Sequence, residues 1–422
     1  MPQKPLVRAP VRSVVLVWLG WAVLILGFQA LAVGRIDLAR PDKALAWSAE
    51  ETAAGRGNSS VLDAFVATHA AWDSKYYLSI AVGGYGDPAA PVVGPDSTPD
   101  QPQIGSRADH PDWPSVNAAF LPGYPAAIRA LAWPLGVFGL PARTTAALAG
   151  IAISLLGTLG AMVAAFDLAG GRDDSGQGLR AAFYLVIWPG SVFLAQVYSE
   201  GLFLGLSLGA LALMKRRRWP WAALLAAGAV WTRSTGVLLL IPFVWTWAGQ
   251  ARPFSPIRRP SAAEIAGAAW ALSPALAYLA WRGVFGGPFD FVETHYFGRG
   301  LFCLGAAWDD WQAGFAAVVG GDGQAGAYRL FEFAAVGVAL AASVALWRRD
   351  KELAAYGLAI LAVAATSGAG LGMQRYALSV PALFLTPARL GRDPVFGQLW
   401  TLANVLGLAL LAITFSFGFW TG

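Results

Sequence analysis

Asp73 is the residue of this sequence best placed to move a proton. It lies in the segment Trp72–Ala81, with Tyr77 and Ile80 following it at helical spacing. The pattern predicts a short amphipathic helix over 72–82, with the carboxylate beside aromatic rings suited to the headgroup level of a membrane. Such a carboxylate can accept a proton from a hydroxyl group within hydrogen-bond reach. The alternative is an ordinary solvated loop aspartate beside a buried tryptophan.

Glu200 stands between two apolar runs, directly after Tyr198 and Ser199. An ionisable group in or beside a membrane is costly unless it is paired or solvated, so it points to function by default. The alternative is a carboxylate that simply reaches water at the membrane surface. We predict that Tyr198 and Glu200 contribute to substrate binding.

Two arginines occupy positions suited to phosphate binding. Arg233 follows Trp231 and breaks a long apolar stretch, and its guanidinium offers a fork that matches phosphate oxygens. Arg375 lies between Gln374 and Tyr376 near the start of a helix, where a cation is unfavourable for the helix dipole and needs an anionic partner. We predict that both arginines bind a lipid-linked phosphate and that Gln374 and Tyr376 bind the substrate. The alternative for Arg233 is snorkelling to the membrane surface.

A proline-rich segment and several aromatic residues complete the polar set. The prolines of Asn117–Pro125 stiffen the start of a helix, which is either a plain membrane segment or the support of a loop over a cavity. Aromatic side chains here either contact a substrate or anchor the protein at the membrane surface. The candidates for substrate contact are Trp72, Tyr77, His110, Asn117 and Tyr124. His295 and Arg299 can equally be loop residues without chemistry.

The composition indicates an integral membrane protein that crosses the bilayer several times. Of 422 residues, 56% are hydrophobic and 13% are charged, against about 25% charged residues in soluble domains. No basic face with base-stacking aromatics occurs, which excludes a nucleic-acid partner. The single Cys303 excludes an internal disulfide, and three scattered histidines lack the spacing of a zinc site. We expect no metal and no other cofactor.

The apolar runs predict one all-α membrane domain, residues 1–422, with about ten to twelve spans. The polar interval 34–116 is predicted to be the first extracytoplasmic loop, with short interfacial helices and Asp73. A second large extracytoplasmic loop is expected at 286–328.

Short basic connections at 215–218, 252–259, 348–351 and 389–392 mark the cytoplasmic side. A consistent alternation requires that the run 219–248 crosses twice, with a break near Thr232–Gly236. It also requires that one run between 118 and 197 does not cross fully.

In these motifs the sequence resembles the GT-C glycosyltransferases, and within them the GPI mannosyltransferase II (PIG-V-like) branch. The likeness covers the chain from about residue 60 to 390. The segments that carry it are Trp72-Asp73, Tyr77, Ile80-Ala81, Gly84-Tyr85, Asn117–Pro125, Tyr198–Glu200, Thr232–Ser234 and Gln374–Tyr376. The resemblance implies a GT-C-like helical bundle whose donor is a polyprenyl- or dolichyl-phosphate sugar, usually mannose. It also implies that an acidic residue of the first outer loop is the general base, a position that Asp73 matches.

We therefore expect an inverting transfer of mannose from polyprenyl phosphate to a hydroxyl of a lipid, glycolipid or cell-envelope glycan, outside the plasma membrane. Thr235 replaces the asparagine usual in eukaryotic members and Gly123 replaces a bulky residue, which leaves the donor sugar and the acceptor open. The lysine-poor, Ala/Arg/Trp-rich composition resembles that of an actinobacterial protein.

Alternatives exist inside and outside this enzyme class. Inside it are another hexose, an arabinofuranose or a protein Ser/Thr acceptor. Outside it are a transporter or flippase of a lipid-linked sugar and a non-catalytic subunit. The sequence has no internal repeat of the kind that many transporters carry. Transporters also tend to carry charges in the middle of the membrane, whereas the polar residues here gather at one face, which favours an enzyme acting there.

Overall fold

The computed structural model describes residues 8–38, 41–45, 48, 61–99, 101–250 and 261–422. In this part the chain is mostly helical. The helices of the first half are α1 (Arg8–Arg35), α2 (Val61–His69), α3 (Ser74–Gly83), α4 (Gly123–Leu135), α5 (Ala142–Leu168), α6 (Ser175–Ile187), α7 (Glu200–Lys215), α8 (Trp219–Thr232) and α9 (Leu240–Gln250). Those of the second half are α10 (Ala262–Ala271), α11 (Ser273–His295), α12 (Leu304–Gly320), α13 (Gly323–Trp347), α14 (Lys351–Ala365), α15 (Met373–Leu378), α16 (Ala382–Leu390) and α17 (Pro394–Ser416). The predicted basic connection 252–259 lies outside the described residues.

The polar interval 34–116 contains short elements, as predicted. Helix α3 nearly coincides with the helix predicted over 72–82. Strands β1 (Val92–Val93) and β2 (Ile104–Gly105) form an antiparallel pair, and both valines of β1 are fully buried. The described part of this interval is therefore folded against the bundle.

The multi-pass membrane architecture predicted from the composition is confirmed. Among the described residues, four helices are long and apolar enough to cross a membrane: α1, α5, α13 and α17. A fifth candidate is α6 with the 3₁₀ helix Pro189–Ala195, two segments that meet at an angle of 82°. The predicted ten to twelve spans are not matched by helix length, because several apolar runs are divided into shorter helices.

Three of the divided runs bear on the predicted alternation. The run 219–248 is interrupted after α8 by Arg233 and a 3₁₀ helix, which confirms the predicted break. The run 118–138 contains the 13-residue α4, which is followed by the short 3₁₀ helix Gly136–Phe138. The run 179–197 bends at Pro189, where the missing amide hydrogen ends the α-helical hydrogen bonding. Two runs between 118 and 197 thus depart from a straight span, where one was expected.

The segment 286–328, predicted as an outer loop, is helical over most of its length. Helix α11 continues to His295, and α12 and the start of α13 occupy most of the rest. The reason is visible in α12, where Trp308, Trp311 and Phe315 recur at helical spacing.

Helices α5 and α7 approach closely at the centre of the bundle because glycines line their contact. A Cβ atom at Gly157 would collide with the carbonyl of Gly201, and one at Gly201 would collide with the carbonyl of Ser154. Gly205, one turn further along α7, faces Gly157 in the same way. Small residues at this spacing let membrane helices pack backbone to backbone. The contact fixes the start of α7, and with it Glu200.

Helix α7 connects two polar ends of the bundle. Its first residue is Glu200 and its last is Lys215, so their backbones lie roughly 23 Å apart along the helix axis. Lys215 pairs with Asp350 at 2.9 Å and with Glu352 at 3.3 Å. We call this end, where the connections after α7 and α13 meet, the basic end, and the end at Glu200 the site end.

Candidate functional site

Asp73 occupies the N-cap position of α3, yet its side chain makes no hydrogen bond to the amides of that helix. An aspartate at an N-cap usually accepts such a bond. Trp72 before it has a φ of 56°, a left-handed conformation that is uncommon for a residue with a Cβ atom. The Asp73 amide donates to the Tyr198 hydroxyl at 3.2 Å. The carboxylate is therefore available to partners outside its own helix.

The strained position of Trp72 is supported by the C-terminal segment. Its indole Nε1 donates to the carbonyl of Phe419 at 3.2 Å. Its ring meets the ring of Trp420 edge to face, with centroids 5.1 Å apart. These contacts give the left-handed residue the surrounding support that such a conformation requires.

Four charged side chains form a continuous series of ion pairs at the site end. Asp73 Oδ2 lies 3.0 Å from Arg375 Nη1, and Arg375 Nε lies 2.7 Å from Glu200 Oε1. The same Glu200 oxygen accepts from Arg233 Nη1 at 2.6 Å. We call Asp73, Arg375, Glu200 and Arg233 the ion-pair chain. Its two acids and two guanidiniums balance in charge, which is what makes their burial tolerable.

Arg375 is held on several sides. Its guanidinium carbon lies 4.8 Å from the ring centroids of both Phe193 and Tyr198, a cation–π arrangement. Its Nη1 also donates to the carbonyl of Gly422 at 2.8 Å. The need for an anionic partner, predicted from its place in the helix, is met by Asp73 and Glu200.

Polar contacts from α13 hold the segment that presents Arg375. The Glu332 carboxylate accepts from the amide of Gly372 at 3.1 Å and from the amide of Met373. The Tyr328 hydroxyl accepts from the Gly372 amide at 3.2 Å. The buried Glu332 carboxylate thus accepts hydrogen bonds from the amides at the start of α15, which have no partner within the helix.

A cavity of about 160 Å³ opens beside the ion-pair chain. Its charged lining residues are Asp73, Arg233, Glu293, Arg299 and Arg375. Aromatic lining residues are Tyr77, Phe120, Phe289, Phe297, Tyr376 and Trp420. A carboxylate, several guanidiniums and aromatic faces in one concave site suit an anionic substrate that also presents hydroxyl groups.

Glu293 and Arg299 are the charged cavity residues to which the sequence analysis assigns no role. The Arg299 amide donates to the Glu293 carbonyl at 2.8 Å, which closes a turn after α11. Both lie outside the candidate membrane-spanning helices. Removal from water raises the pKa of the Glu293 carboxyl to about 7, and the positive charge of Arg299 opposes that shift. The signal that could have found them is their position just beyond the apolar run 263–285, since ionisable groups at such places often serve function.

The structure brings most of the predicted site residues together. Asp73, Tyr77, Arg233, Arg375 and Tyr376 line the cavity. Glu200 and Tyr198 contact Arg375 from behind, and Trp72 contacts Trp420 of the cavity wall.

Seven predicted substrate contacts lie outside the cavity lining: Trp72, Tyr198 and Glu200, which contact lining residues, and His110, Asn117, Tyr124 and Gln374. His110 stacks on Trp113 with centroids 3.8 Å apart. Three others are buried and engaged in internal hydrogen bonds: Asn117 to Ser79 Oγ at 2.8 Å, Tyr124 to the Gly150 carbonyl at 3.0 Å and Gln374 to the Thr421 carbonyl at 2.6 Å. Their observed contacts are with other residues of the protein, so they support the walls of the site and do not face the cavity.

Among the described residues, no group of three or more His, Cys, Asp or Glu side chains is placed to hold a metal ion. The expectation that no metal is required therefore stays a prediction.

Comparisons with known proteins give similarity at the level of structure. No family profile matches the sequence. No curated protein matches it either. The chain is similar to the archaeal oligosaccharyltransferase AglB from Archaeoglobus fulgidus in complex with an inhibitory peptide and a dolichol-phosphate, with a TM-score of 0.42 and 13% identity, covering 95% of this chain and 56% of that one.

A second structure, the apo form of the Archaeoglobus fulgidus oligosaccharyltransferase, gives a TM-score of 0.41 and 13% identity, with the same coverage of 95% and 56%. A third, the complex of that enzyme with Zn and sulfate, gives 0.40 and 15%, covering 94% of this chain and 53% of the other. The chain therefore spans little more than half the length of these proteins.

Proposed function

We propose that the protein is an inverting glycosyltransferase that moves a sugar from a polyprenyl phosphate to a hydroxyl group of an acceptor. The observation that carries this proposal is the cavity in which the Asp73 carboxylate lies beside Arg375, with Arg233 and Arg299 in the same wall. A base and cations within one site are the two things that transfer from a lipid phosphate requires. Its volume of about 160 Å³ is below the roughly 300 Å³ of a typical ligand pocket, so it suits a headgroup whose lipid tail lies outside it.

In the proposed reaction, Asp73 accepts the proton of the acceptor hydroxyl as that oxygen attacks the anomeric carbon. A new bond forms from this carbon to the acceptor oxygen. The bond to the phosphate oxygen breaks on the opposite face, and its electron pair goes to the lipid phosphate. The attack inverts the configuration of the sugar. The guanidiniums stabilise the added negative charge, so no general acid is required.

The ion-pair chain positions the base in this scheme. Arg375 holds the Asp73 carboxylate, and Glu200 holds Arg375 and Arg233 in turn. We predict that Arg375 and Arg233 also contact the donor phosphate, as their place in the cavity wall permits. Both arginines would then serve the base and the leaving group together.

The finer identity of the substrates follows from the sequence resemblance. We propose mannose as the sugar and a lipid, glycolipid or cell-envelope glycan as the acceptor, as in the PIG-V-like branch. Residues that support this branch and line the cavity include Asp73, Tyr77, Arg233, Arg375 and Tyr376. Another sugar or a protein Ser/Thr acceptor remains the alternative.

We propose that the site faces the extracytoplasmic side of the plasma membrane. Cationic connections mark the cytoplasmic side of membrane proteins, and the connections 215–218 and 348–351 meet at the basic end. The site end lies at the other terminus of α7, roughly 23 Å away along the helix.

The direct test is Asp73→Asn in membranes supplied with labelled polyprenyl-phosphate mannose. Loss of the proton acceptor should lower the rate of product formation by about 100-fold or more, with unchanged protein levels. Asp174→Asn is the matched control, because Asp174 is an exposed aspartate paired with Arg392 away from the cavity.

Full activity of Asp73→Asn would refute the base assignment. Movement of the labelled lipid across the membrane without a new glycosidic product would instead identify a flippase.

A further inference from the structure

Three arginines among the described residues line the cavity, and they differ in what already neutralises them. Arg375 pairs with both Asp73 and Glu200. Arg233 pairs with Glu200. An arginine that is already matched with a carboxylate attracts an incoming anion less, because the net charge that the anion meets is smaller.

Arg299 has only neutral hydrogen-bond partners in the described part of the chain. Its Nη1 donates to the Tyr376 hydroxyl at 3.0 Å and its Nη2 donates to the Leu371 carbonyl at 3.3 Å. No carboxylate of the described residues lies at ion-pair distance from it. A guanidinium has five N–H donors, so these two bonds leave donors for an oxyanion.

We propose that Arg299 is the primary phosphate-binding residue of the site, making the contact on which capture of the donor depends. The inference rests on the proposed function, because it assigns a ligand to the phosphate of that same lipid-linked donor. Arg375 is then chiefly the residue that positions Asp73.

The position of Arg299 relative to the ion-pair chain supports this division. The guanidinium carbons of Arg299 and Arg233 lie 5.9 Å and 5.6 Å from the ring centroid of Tyr376. One aromatic ring therefore links the unmatched guanidinium to the ion-pair chain. When the anomeric carbon–oxygen bond breaks, its electron pair moves to the phosphate, and the N–H groups of Arg299 stabilise that charge.

The neighbouring acid, Glu293, strengthens the contrast between Arg299 and the two arginines of the ion-pair chain. Removal from water raises the pKa of the Glu293 carboxyl to about 7. Below that pH the Glu293 carboxyl is protonated and neutral in most molecules, so Arg299 keeps its full attraction for a phosphate.

The experiment measures binding and turnover separately with the full-length protein in detergent. The binding probe is a polyprenyl phosphate without sugar, followed through tryptophan fluorescence, since Trp420 lies in the cavity wall. Arg299→Gln should raise the Kd for polyprenyl phosphate by about 10- to 100-fold, the usual effect of losing a charge-assisted hydrogen bond. Arg299→Lys keeps the positive charge but lacks the forked guanidinium donors, so it should raise the Kd less.

The matched control is Arg282→Gln, which removes a partly exposed arginine that pairs with Asp290 and does not line the cavity. Its Kd should equal that of the wild type. In turnover assays, Arg299→Gln should raise the donor KM far more than it lowers kcat, whereas Arg375→Gln should lower kcat.

The outcomes separate this inference from the proposed function. If the wild type binds polyprenyl phosphate and transfers sugar but both Arg299 variants bind as well as the wild type, the assignment to Arg299 is overturned and the function stands. If the wild type binds the lipid through Arg299 but forms no glycosidic product with any polyprenyl-phosphate sugar, the proposed function fails and the phosphate site stands. If inorganic phosphate binds as tightly as the lipid, the ligand is the free anion, and the assignment to a lipid donor is overturned.

Discussion

The two ends of α7 carry the same pattern of charges in different surroundings. At the basic end, Lys215 lies between Asp350 and Glu352 with 30% of its side chain exposed. At the site end, Glu200 lies between Arg233 and Arg375 with 3% of its side chain exposed. One charge between two opposite charges is thus solvated in one place and enclosed in the other.

This difference in exposure determines how much each group of ion pairs contributes to stability. An exposed ion pair contributes about 0–1 kcal/mol to stability. Breaking a buried pair costs about 3–5 kcal/mol, because the remaining partner stays buried without compensation. The basic end is therefore expected to tolerate substitution. The site end requires all of its charges at once, which suits a preorganised reaction centre.

The largest effect is expected from Glu200→Gln. The substitution keeps the shape of the side chain but leaves Arg233 and Arg375 without their shared carboxylate. Stability should fall by about 3–5 kcal/mol, measured as a lower thermal unfolding midpoint in detergent. Transfer activity should fall with it, because Arg375 loses the carboxylate that holds it beside Asp73.

Glu200→Asp is the control for charge, since it restores the carboxylate on a shorter side chain. An unchanged unfolding midpoint in Glu200→Gln would mean that water already solvates the two guanidiniums, and the contrast between the two ends would disappear.

An intermediate effect is expected from the pH dependence of donor binding. With a pKa of about 7, Glu293 is mostly neutral at about pH 5.5 and mostly ionised at about pH 8.5. The charged groups that act on it are Arg299, Asp73, Arg233 and Asp290. The ionised form repels a phosphate and weakens the attraction of Arg299, so the donor KM should rise about fivefold with pH, equivalent to roughly 1 kcal/mol.

The measurement is the donor KM across this pH range for the wild type and for Glu293→Gln, which cannot ionise. The glutamine variant should keep a low KM throughout. A rise of the same size in that variant would assign the titration to another group.

The smallest effect is expected from Lys215→Ala at the basic end. The two ion pairs lost are exposed, so stability should change by about 1 kcal/mol or less, with kcat and KM unchanged. A fall in the unfolding midpoint as large as that of Glu200→Gln would contradict the comparison.

The sequence predicted the residues of the ion-pair chain better than it predicted their partners. Asp73, Arg233 and Arg375 were recognisable because charged residues interrupt apolar or aromatic surroundings, and such residues need a reason to be there. The need of Arg375 for an anion was also predictable from the helix dipole. That its anions are Asp73 and Glu200 depends on contacts between distant parts of the chain, which local patterns do not specify.

For two kinds of prediction the structure shows features that the sequence pattern did not specify. The number of spans followed from counting apolar residues, but Pro189 and the 3₁₀ segment Ser234–Leu239 divide runs that hydropathy treats as continuous. His110 and Asn117 were predicted as substrate contacts from their place in the proline-rich polar segment, and Asn117 also from the motif that carries the resemblance. In the structure the His110 ring stacks on Trp113, and the Asn117 amide donates a hydrogen bond to Ser79. These partners within the protein account for both polar side chains without a bound substrate.

The pair of Asp73 and Arg375 joins residues that are 302 positions apart in the chain. During synthesis, Asp73 and Glu200 are made and inserted long before their common guanidinium exists. Glu200 can pair with Arg233 at an early stage, whereas Asp73 must wait for the last quarter of the protein. The ion-pair chain is therefore complete only after the segment that carries Arg375 has been inserted, and until then Asp73 lacks the guanidinium with which it pairs in the folded molecule.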